Sequence, residues 1–324
     1  MIVITGGAGF IGSVLLWKLN EMGRKDILLV DQHAKGHPKW NNVKKHHFEL
    51  YGESDEFIRR LEAKEWNGKI EAIFHLGACS DTTEMNTDFL RENNSLYSER
   101  ITRWCLENKV YLQYASSAAT YGDGSLGFCD DDKLAPSLKP LNPYGQSKLD
   151  FDNWVLKNDY EKRITGFRFF NVYGPNEYHK NHMRSMVQKG FEQIQATGKM
   201  RLFKSYKKEY PDGGQKRDFI YVKDTVDAMI WFFQNPKWKG IYNLGTGRAQ
   251  TWNDLAHALF KACGKDANIE YVEMPESLKN QYQYFTEADL RKLRKTGCPV
   301  VFKNLEQGVS DYAKNYLVKE NAYL

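Results

Sequence analysis

The 324-residue sequence is long enough for two ordinary domains, or for one α/β domain with a substantial lobe. Apolar residues make up 41% and charged residues 27% of the chain, a balance that supports a packed core and excludes global disorder. The net charge of +5 comes from short, scattered basic runs, which argues against a nucleic-acid partner.

The first 31 residues predict one βαβ unit. Residues 2–4 form a β-branched run that the glycines of 6–12 interrupt, and residues 13–22 then show helical periodicity. A second apolar run at 27–30 ends at Asp31. Continuous apolar runs of this length are typical of strands buried on both faces, so the unit predicts two parallel strands joined by a helix.

The same alternation continues to about residue 170. Strands are predicted at 72–76, 111–115 and 164–169, and helices at 57–63, 91–108 and 143–156. Repeated strand and helix predicts an α/β fold with a doubly wound parallel sheet and helices on both faces.

Beyond residue 170 the alternation becomes irregular. Helices are predicted at 183–196 and 224–234, and strands at 218–222 and 240–245, with polar loops between them. We therefore expect two units of unequal size. The larger domain would comprise residues 1–170 with about 218–245 and about 299–317, and a smaller α/β lobe would comprise about 171–217 and 246–298.

Gly6, Gly9 and Gly12 lie between the first predicted strand and the first predicted helix. Glycines here let the backbone approach a pyrophosphate, whose charge is stabilised by the positive N-terminus of the helix. Asp31, after the next strand, stands where an acidic residue binds the ribose of such a cofactor. The combination predicts a dinucleotide-binding (Rossmann) domain, and the alternative is a tight turn without a ligand.

Tyr144 and Lys148 are four residues apart and therefore share a helix face. A nearby ammonium is expected to lower the pKa of the phenol, which suits proton exchange with a substrate hydroxyl during hydride transfer. Ser117 follows a predicted strand, at the edge where doubly wound folds bind ligands. Each feature alone has an ordinary explanation. The tyrosine and lysine could simply cover a helix face, and the serine could simply stabilise a turn. Their order along the chain favours catalysis.

These motifs together resemble the extended short-chain dehydrogenase/reductase superfamily. Across nearly its whole length the chain resembles one branch, the ADP-L-glycero-D-manno-heptose 6-epimerases. The matching segments are 5–13, 77–80, 82–84, 116–122, 166–175, 179–180, 216–219 and 243–249. The most specific combination joins Gly-Ala-Cys-Ser at 77–80 and Ser-Ser-Ala-Ala-Thr-Tyr-Gly at 116–122 with His179 and Lys180.

The resemblance implies inversion of C6 in the heptose of ADP-glycero-manno-heptose, from D-glycero to L-glycero, for the synthesis of lipopolysaccharide core precursors. The hydroxyl would be oxidised to a carbonyl and reduced again on the opposite face. The family implies Tyr144 and Lys180 as two acid/base residues, one for each orientation of the carbonyl, with Ser117 and Lys148 beside Tyr144. Without the resemblance, Lys180 would be interpreted as a solvated loop lysine.

The resemblance also implies ligand contacts. For the cofactor these are Gly6, Gly9, Phe10, Ile11, Gly12, Asp31, Gln32, Lys39, Leu76, Gly77, Ala78, Cys79, Ser80, Asn93, Tyr144, Lys148 and Val172. For ADP-heptose they are Asn171, His182, Lys189, Phe203, Lys204, Ser205, Tyr206, Arg217 and Tyr282. Arg217 is expected to clamp the diphosphate, and a structural salt bridge with Asp218 or a nearby acidic residue is the alternative. The larger domain would thus bind the cofactor and the lobe the substrate.

The sequence leaves two cofactors open. Asp31 favours NAD through the ribose 2′-hydroxyl, whereas Lys35, His37 and Lys39 could hold the 2′-phosphate of NADP. Ser54 stands where the family often has a second cofactor lysine. We expect NADP, which the family commonly uses, with NAD as the alternative.

Other functions compete with this assignment. A UDP-hexose 4-epimerase shares the serine, tyrosine and lysine and stays open. A dehydratase is disfavoured, because Ala118 and Ala119 stand where elimination needs two acidic residues. A non-catalytic Rossmann cofactor sensor is a further alternative, although it would not need all three catalytic side chains.

Cysteine and histidine patterns complete the sequence-based expectations. The five cysteines form no C-x-x-C pair and the eight histidines form no metal-binding motif, so we expect neither a metal nor disulfides. No apolar stretch approaches the ~20 residues of a membrane span, and no signal-peptide core opens the chain. We expect a cytoplasmic protein, and the resemblance implies a homo-oligomer, specifically a pentamer.

Overall fold

The structure, a computed structural model, describes residues 1–32, 36–279, 282–320 and 322–324. Its strands are β1 (Ile2–Thr5), β2 (Ile27–Val30), β3 (Glu49–Tyr51), β4 (Ala72–His75), β5 (Tyr111–Ser117), β6 (Thr165–Phe169), β7 (Asn171–Tyr173), β8 (Met200–Phe203), β9 (Lys216–Tyr221), β10 (Gly240–Leu244), β11 (Ala249–Thr251) and β12 (Ile269–Val272). Its α-helices are α1 (Phe10–Glu21), α2 (Ser54–Glu62), α3 (Thr87–Leu90), α4 (Tyr97–Asn108), α5 (Pro143–Lys157), α6 (Met186–Thr197), α7 (Val222–Gln234), α8 (Trp252–Ala262), α9 (Glu276–Lys279), α10 (Arg291–Lys295) and α11 (Leu305–Tyr312). Among these described residues, none of the helices combines the length and apolar character of a transmembrane segment.

Seven strands form one parallel sheet in the order β10-β6-β5-β4-β1-β2-β3. Successive side chains of a strand point to opposite faces, so each strand contributes to two cores. Ile2 and Ile4 pack in one cluster with residues of α1 and α7, whereas Val3 packs in another with residues of α2, α4 and α5. The sheet is therefore covered by helices on both faces, and the predicted doubly wound parallel sheet is confirmed.

The rest of the molecule contains two smaller sheets. β9 pairs in parallel with β7 and antiparallel with β11, and β12 pairs in parallel with β8. Residues of α6, α8 and α11, including Ile194, Leu259 and Val309, share a third apolar cluster with β8 and β9. This α/β unit thus has its own core.

The packing differs from the sequence-based assignment in three places. The strand predicted at 218–222 belongs to the sheet of β7 and β11, because a run of buried residues is compatible with either sheet. α11, expected in the larger domain, packs with α6 and α8 because its apolar face carries Leu305 and Val309 towards them. Conversely, Leu293 and Cys298, expected in the lobe, pack in the cluster of α1 and α7.

The strand order reverses between β1 and β4, which leaves a crevice at the carboxyl ends of the strands. The glycine turn follows β1, Asp31 follows β2, and residues 76–80 follow β4. Ser117 is the last residue of β5. The residues that the sequence singles out in the first half of the chain therefore converge on one edge of the sheet.

Candidate active site

The glycine turn brings two backbone segments into direct contact. Gly6 has a φ of +65°, and a Cβ atom there would lie 2.7 Å from the backbone of Gly77. A Cβ atom on Gly12 would lie 2.3 Å from the carbonyl oxygen of Gly6. α1 begins at Phe10, within this turn, so its N-terminal amides face the crevice. The turn therefore has the compact shape and positive dipole that a pyrophosphate requires.

Asp31 accepts a hydrogen bond from the glycine turn and forms an ion pair with Lys39. Its carboxylate accepts hydrogen bonds from the backbone N–H of Ala8 at 3.1 Å and of Gln32 at 2.9 Å. The ammonium of Lys39 lies 3.2 Å from the same carboxylate, which is only 4% exposed. The Gln32 amide donates to Asn93 at 3.1 Å. These four predicted cofactor residues thus lie together, whereas Lys35 lies outside the described residues.

Residues 76–80, which follow β4, form one wall of the crevice. This wall is held by Asn94, a residue that the sequence did not reveal. Asn94 accepts a hydrogen bond from the backbone N–H of Cys79 and donates one to its carbonyl, both at 2.9 Å. Its amide also donates to Ser147 at 3.0 Å, whose hydroxyl donates to the carbonyl of Tyr144 at 2.8 Å. Asn94 lies in a π-helical segment, Arg91–Leu96, which interrupts the single helix predicted at 91–108. It ties the wall to the helix of Tyr144.

A second buried chain of hydrogen bonds lies behind the same wall. The hydroxyl of Thr5 accepts from the backbone N–H of Gly77 at 3.1 Å and lies 2.7 Å from Nδ1 of His75. Nε2 of His75 lies 2.8 Å from the hydroxyl of Ser98. Burial, with a smaller contribution from the charge of Lys148, lowers the pKa of His75 to about 3. His75 is therefore a neutral structural link between β1, β4 and α4.

Ser117, Tyr144 and Lys148 meet at the end of β5. Tyr144 lies in the first turn of α5, where the side chain of Asn142 caps the helix by accepting from the N–H of Gly145 at 2.8 Å. The hydroxyl of Ser117 accepts from the N–H of Ala119 at 3.1 Å and forms a hydrogen bond with the phenol of Tyr144. The hydroxyl groups of these two predicted catalytic residues are thus adjacent.

The pKa of Tyr144 differs from the sequence-based expectation. Burial raises it above its ordinary value, the hydrogen bond from Ser117 opposes that rise, and the nearby thiol of Cys79 adds to it. The ammonium of Lys148 donates instead to the carbonyl of Ala115 at 2.9 Å. Burial lowers the pKa of Lys148 to about 8, against the attraction of Asp152 and Cys79. The expected lowering of the phenol pKa is therefore wrong for this structure, because desolvation outweighs the hydrogen bond with Ser117, the one cause that lowers this pKa.

α5 is fixed to the sheet by a buried ion pair. Asp152 accepts hydrogen bonds from Arg168 at 2.9 Å, from Ser116 at 2.9 Å and from Tyr114 at 3.0 Å. Arg168 is only 1% exposed and also donates to the hydroxyl of Tyr121 at 3.1 Å. One carboxylate on α5 therefore holds β5 and β6 two turns below Tyr144.

Lys180 lies in a short 3-10 helix, Tyr178–Met183, before α6. Its ammonium lies 5.5 Å from the centre of the Phe10 ring, beside the glycine turn. Burial lowers the pKa of Lys180, the carboxylate of Glu177 opposes this, and the charge of Lys189 adds to it. The side chain is therefore partly buried at the crevice. The alternative interpretation required a fully solvated lysine.

Glu177 anchors this loop. Its buried carboxylate accepts from the backbone N–H of Ser185 at 2.5 Å, from the Ser185 hydroxyl at 2.7 Å and from the N–H of Gly174 at 3.3 Å. The ammonium of Lys189 donates to the carbonyl of His182, and the ring of His182 lies 3.2 Å from Asp81. Two predicted substrate residues, His182 and Lys189, therefore lie beside the Lys180 loop.

Arg217 is enclosed by aromatic rings. Its guanidinium carbon lies 5.1 Å from the centre of the Tyr282 ring and 5.7 Å from that of Trp252, and the residue is 7% exposed. Within the described residues no carboxylate pairs with it. Asp218 instead accepts from the backbone N–H groups of Thr246, Gly247 and Ala288 at 2.7 to 3.0 Å. The alternative salt bridge is therefore wrong, and Arg217 has donors to offer an anion.

The other substrate residues of the lobe divide into two groups. Phe203 packs edge-on against Tyr282, with ring centres 6.4 Å apart, so it joins Arg217. Lys204 pairs with Glu273 at 2.6 Å, and the hydroxyl of Tyr206 donates to the same carboxylate.

The remaining predicted contact residues are Ser205, Asn171 and Val172. One residue beside the site, Trp252, was not predicted. The backbone N–H of Ser205 donates to Asp212 at 2.7 Å, within the same loop. Asn171 is exposed at the start of β7, followed by a partly buried Val172. Trp252, which donates to the Tyr282 hydroxyl at 2.8 Å, was missed because a tryptophan opening a helix carries no ligand signal of its own.

Comparisons with known proteins agree with this architecture. Residues 2–245 match the model of the NAD dependent epimerase/dehydratase family. Over 324 residues, all of both chains, the sequence is 50% identical to an ADP-L-glycero-D-manno-heptose-6-epimerase of Nitratidesulfovibrio vulgaris. An enzyme of that name from Fusobacterium nucleatum is 48% identical over 335 residues, again all of both chains.

A solved structure is similar in fold as well. The crystal structure of the Helicobacter pylori ADP-L-glycero-D-manno-heptose-6-epimerase superposes with a TM-score of 0.81 and 27% sequence identity. The match covers 97% of this chain and 95% of the other. The chain therefore belongs to the NAD dependent epimerase/dehydratase family, in the branch of the ADP-L-glycero-D-manno-heptose-6-epimerases.

Proposed function

We propose that this chain inverts C6 of the heptose in ADP-glycero-manno-heptose, as a cytoplasmic step in the synthesis of lipopolysaccharide core precursors. One observation carries the proposal: the two residues that could transfer protons come from separate elements of the fold. Tyr144 comes from α5, and Lys180 comes from the loop before α6, against Phe10 of the glycine turn. A reaction in which hydride leaves one face of a carbon and returns to the other needs two such groups.

The crevice fits a nicotinamide dinucleotide. A Cβ atom on Gly6 or Gly12 would fill the turn at which the pyrophosphate binds, and the N-terminus of α1 faces that turn. Gln32, Asn93 and Lys148 would line the rest of the molecule. A bound cofactor would supply the acceptance and return of a hydride, so the reaction would require no external oxidant.

The side chains of the site divide the proton chemistry between them. Ser117 orients the reacting oxygen through its hydroxyl. Because burial raises the pKa of Tyr144, its Oη carries a proton at neutral pH and serves as a donor to a carbonyl oxygen. Nζ of Lys180, whose pKa burial lowers, exchanges a proton with the oxygen in its second orientation. Arg217 holds the diphosphate through its free N–H groups.

We propose NADP as the cofactor of this pocket. The Asp31 carboxylate already accepts from two backbone N–H groups and pairs with Lys39, which leaves it less able to bind ribose hydroxyls as NAD requires. The ammonium of Lys39 instead offers a charge to a 2′-phosphate. Mass spectrometry of the nucleotide retained through purification tests this: Lys39→Ala should release NADP, and retention of NAD by the unaltered chain would overturn the choice.

Direct assay of the epimerisation tests the function. Purified protein should interconvert the two ADP-heptose epimers, followed by NMR. Tyr144→Phe and Lys180→Met should each lower kcat by about 10²- to 10⁴-fold, the usual contribution of a general acid or base. Lys157→Met, which removes an exposed lysine from the end of α5, is the matched control and should retain full activity.

Two outcomes would contradict the proposal. Conversion of UDP-galactose without conversion of ADP-heptose would identify a 4-epimerase instead. Full activity of Lys180→Met would remove Lys180 from its role while leaving the oxidation at Tyr144 intact.

A further inference from the structure

The segment 322–324 lies against the loop that carries Lys180. The hydroxyl of Tyr178 donates to the carbonyl of Ala322 at 2.7 Å, and the rings of Tyr178 and Tyr323 meet edge-to-face with centres 5.0 Å apart. The backbone N–H of Leu324 donates to the side chain of Asn176 at 3.1 Å. Each of the three residues therefore contacts the four-residue stretch before Lys180.

Asn176 extends these contacts to the glycine turn. It is fully buried and has a φ of +75°, in the left-handed region that asparagine tolerates better than most residues. Its amide nitrogen donates to the hydroxyl of Ser13 at 3.0 Å, and that hydroxyl donates to the carbonyl of Phe10 at 3.0 Å. One amide side chain thus joins the segment 322–324 to the first turn of α1.

Asn176 and Lys180 both contact the start of α1, one through hydrogen bonds and the other through an aromatic ring. Asn176 donates a hydrogen bond to Ser13, which in turn donates to the Phe10 carbonyl. The ring of the same Phe10 lies under the ammonium of Lys180. We propose that the segment 322–324 is a positioning element, which holds the Lys180 side chain over Phe10 by fixing Asn176 and Tyr178. The role assigned to Lys180 rests on the proposed function, whereas the position assigned to it does not.

A separate contact holds the other side of the loop. The amide of Asn42 donates to the carbonyl of Ala8 at 2.9 Å and lies 3.2 Å from Nδ1 of His179. Loss of the segment 322–324 would therefore remove one set of contacts from Asn176 and Tyr178, while Glu177 stays bonded to Ser185 and His179 stays attached to Asn42. We expect a displaced Lys180 with the pair of Ser117 and Tyr144 undisturbed, because that pair belongs to β5 and α5.

Two variants and one control test this proposal. Deletion of residues 322–324 removes all three contacts, and Tyr178→Phe keeps the ring but removes the hydroxyl, with its hydrogen bond to Ala322 and its interaction with Tyr312. Tyr160→Phe is the matched control, because Tyr160 packs on Trp154 and its hydroxyl has no hydrogen-bond partner among the described residues.

The readout combines turnover with the accessibility of the lysine. Kinetics of ADP-heptose interconversion give kcat and KM, and acetylation of Lys180 relative to exposed Lys157 is followed by peptide mass spectrometry. The deletion should lower kcat by about tenfold and raise the relative acetylation rate of Lys180 by a similar factor. Tyr178→Phe, which keeps the ring packed on Tyr323 and loses only the hydroxyl, should produce about threefold changes in the same directions, and Tyr160→Phe none.

The outcomes separate this proposal from the proposed function. Unchanged acetylation of Lys180 in both variants would overturn the positioning role, even if the deletion lowered activity, since the loss would then come from general destabilisation. If the deletion does not fold, the full-length Tyr178→Phe variant decides. Faster acetylation in the variants, together with full activity of Lys180→Met, would leave the positioning role standing and reject the proposed catalytic role of Lys180.

Discussion

At the scale of single residues, burial shifts the pKa values of the proton-transfer groups in the crevice more than neighbouring charges do. Desolvation is the largest cause of the lowered pKa of Lys148 and Lys180 and of the raised pKa of Tyr144. In each case the buried environment favours the neutral form. The proton-transfer groups of this crevice are therefore adjusted by the packing that surrounds them, and substitutions in that packing should move their pKa values.

His75 should make the stability of the fold depend on pH. Its pKa is lowered from 6.5 to about 3, so below pH 6.5 the unfolded chain takes up a proton that the folded chain refuses. The contribution of neutral His75 is thus complete above pH 6.5 and is lost as the pH falls towards 3. Between pH 7 and pH 5 we expect a loss of about 2 kcal/mol from this residue.

Urea unfolding of His75→Gln measures this effect. The variant should be less stable than the unaltered chain at pH 7, and the difference should shrink by about 2 kcal/mol at pH 5. His257→Gln, an exposed histidine on α8, should leave the pH dependence unchanged. Parallel pH profiles for the unaltered chain and His75→Gln would show that His75 titrates normally in the folded state.

At the scale of elements, the ion pair of Asp152 and Arg168 fixes α5 to the sheet. Asp152→Asn removes the charge and leaves the guanidinium of Arg168 buried without a counter-ion. We expect a loss of about 3–5 kcal/mol in the free energy of unfolding. Asp150→Asn on the same helix is the control, because Asp150 is exposed, and its effect should stay within about 0.5 kcal/mol. Equal effects of the two substitutions in urea unfolding would contradict this account.

The turn between β1 and α1 should tolerate no added atom at Gly12. The Cβ atom of Gly12→Ala would meet the Gly6 carbonyl at 2.3 Å, and two backbone segments cannot separate cheaply there. We expect a loss of about 1–3 kcal/mol in stability and of the nucleotide retained through purification. Gly52→Ala, whose Cβ would have no atom within 4 Å, should change neither quantity. Retention of nucleotide by Gly12→Ala would show that the pyrophosphate binds elsewhere.

The same scale shows what could be predicted from the sequence. Gly6, Gly12 and the pair of Tyr144 and Lys148 were recognisable because each signal lies within a few residues of the chain. β3, β8 and β12 were not predicted, since strands of three or four residues with polar positions carry no period that can be recognised. The packing of β9 was misjudged, because burial alone does not say which sheet a strand joins.

Contacts between distant parts of the chain were beyond sequence reasoning. Asn94 acts through Cys79 and Ser147, and Asn176 acts through Ser13 and Leu324. An asparagine has the same local appearance in a loop, a cap or a buried bridge. Its role becomes visible only when the fold brings its partners to it.

At the scale of the whole molecule, the homo-oligomer implied by resemblance stays a prediction. Sedimentation equilibrium should give a mass about five times that of one chain if the association is pentameric. A mass that falls to that of one chain on dilution to assay concentration, with full activity, would show that the crevice is complete in a single copy. A stable dimer would contradict the pentamer and leave the fold and crevice unaffected.

The order of strands in the main sheet also has a consequence for how the protein is made. β1 is central, β2 and β3 extend one side, and β4, β5, β6 and β10 extend the other, so each strand joins an edge that the ribosome has already released. Two edges stay unpaired for long: one edge of β1 pairs with β4 only after about 66 further residues, and β6 pairs with β10 only after the longest interval, the roughly 70 residues between Phe169 and Gly240. At about 5–20 residues per second, the β6 edge remains unpaired for about 4–14 seconds in every round of synthesis. An unpaired, apolar edge attracts other strands, so this interval is the point at which a nascent chain is most exposed to aggregation.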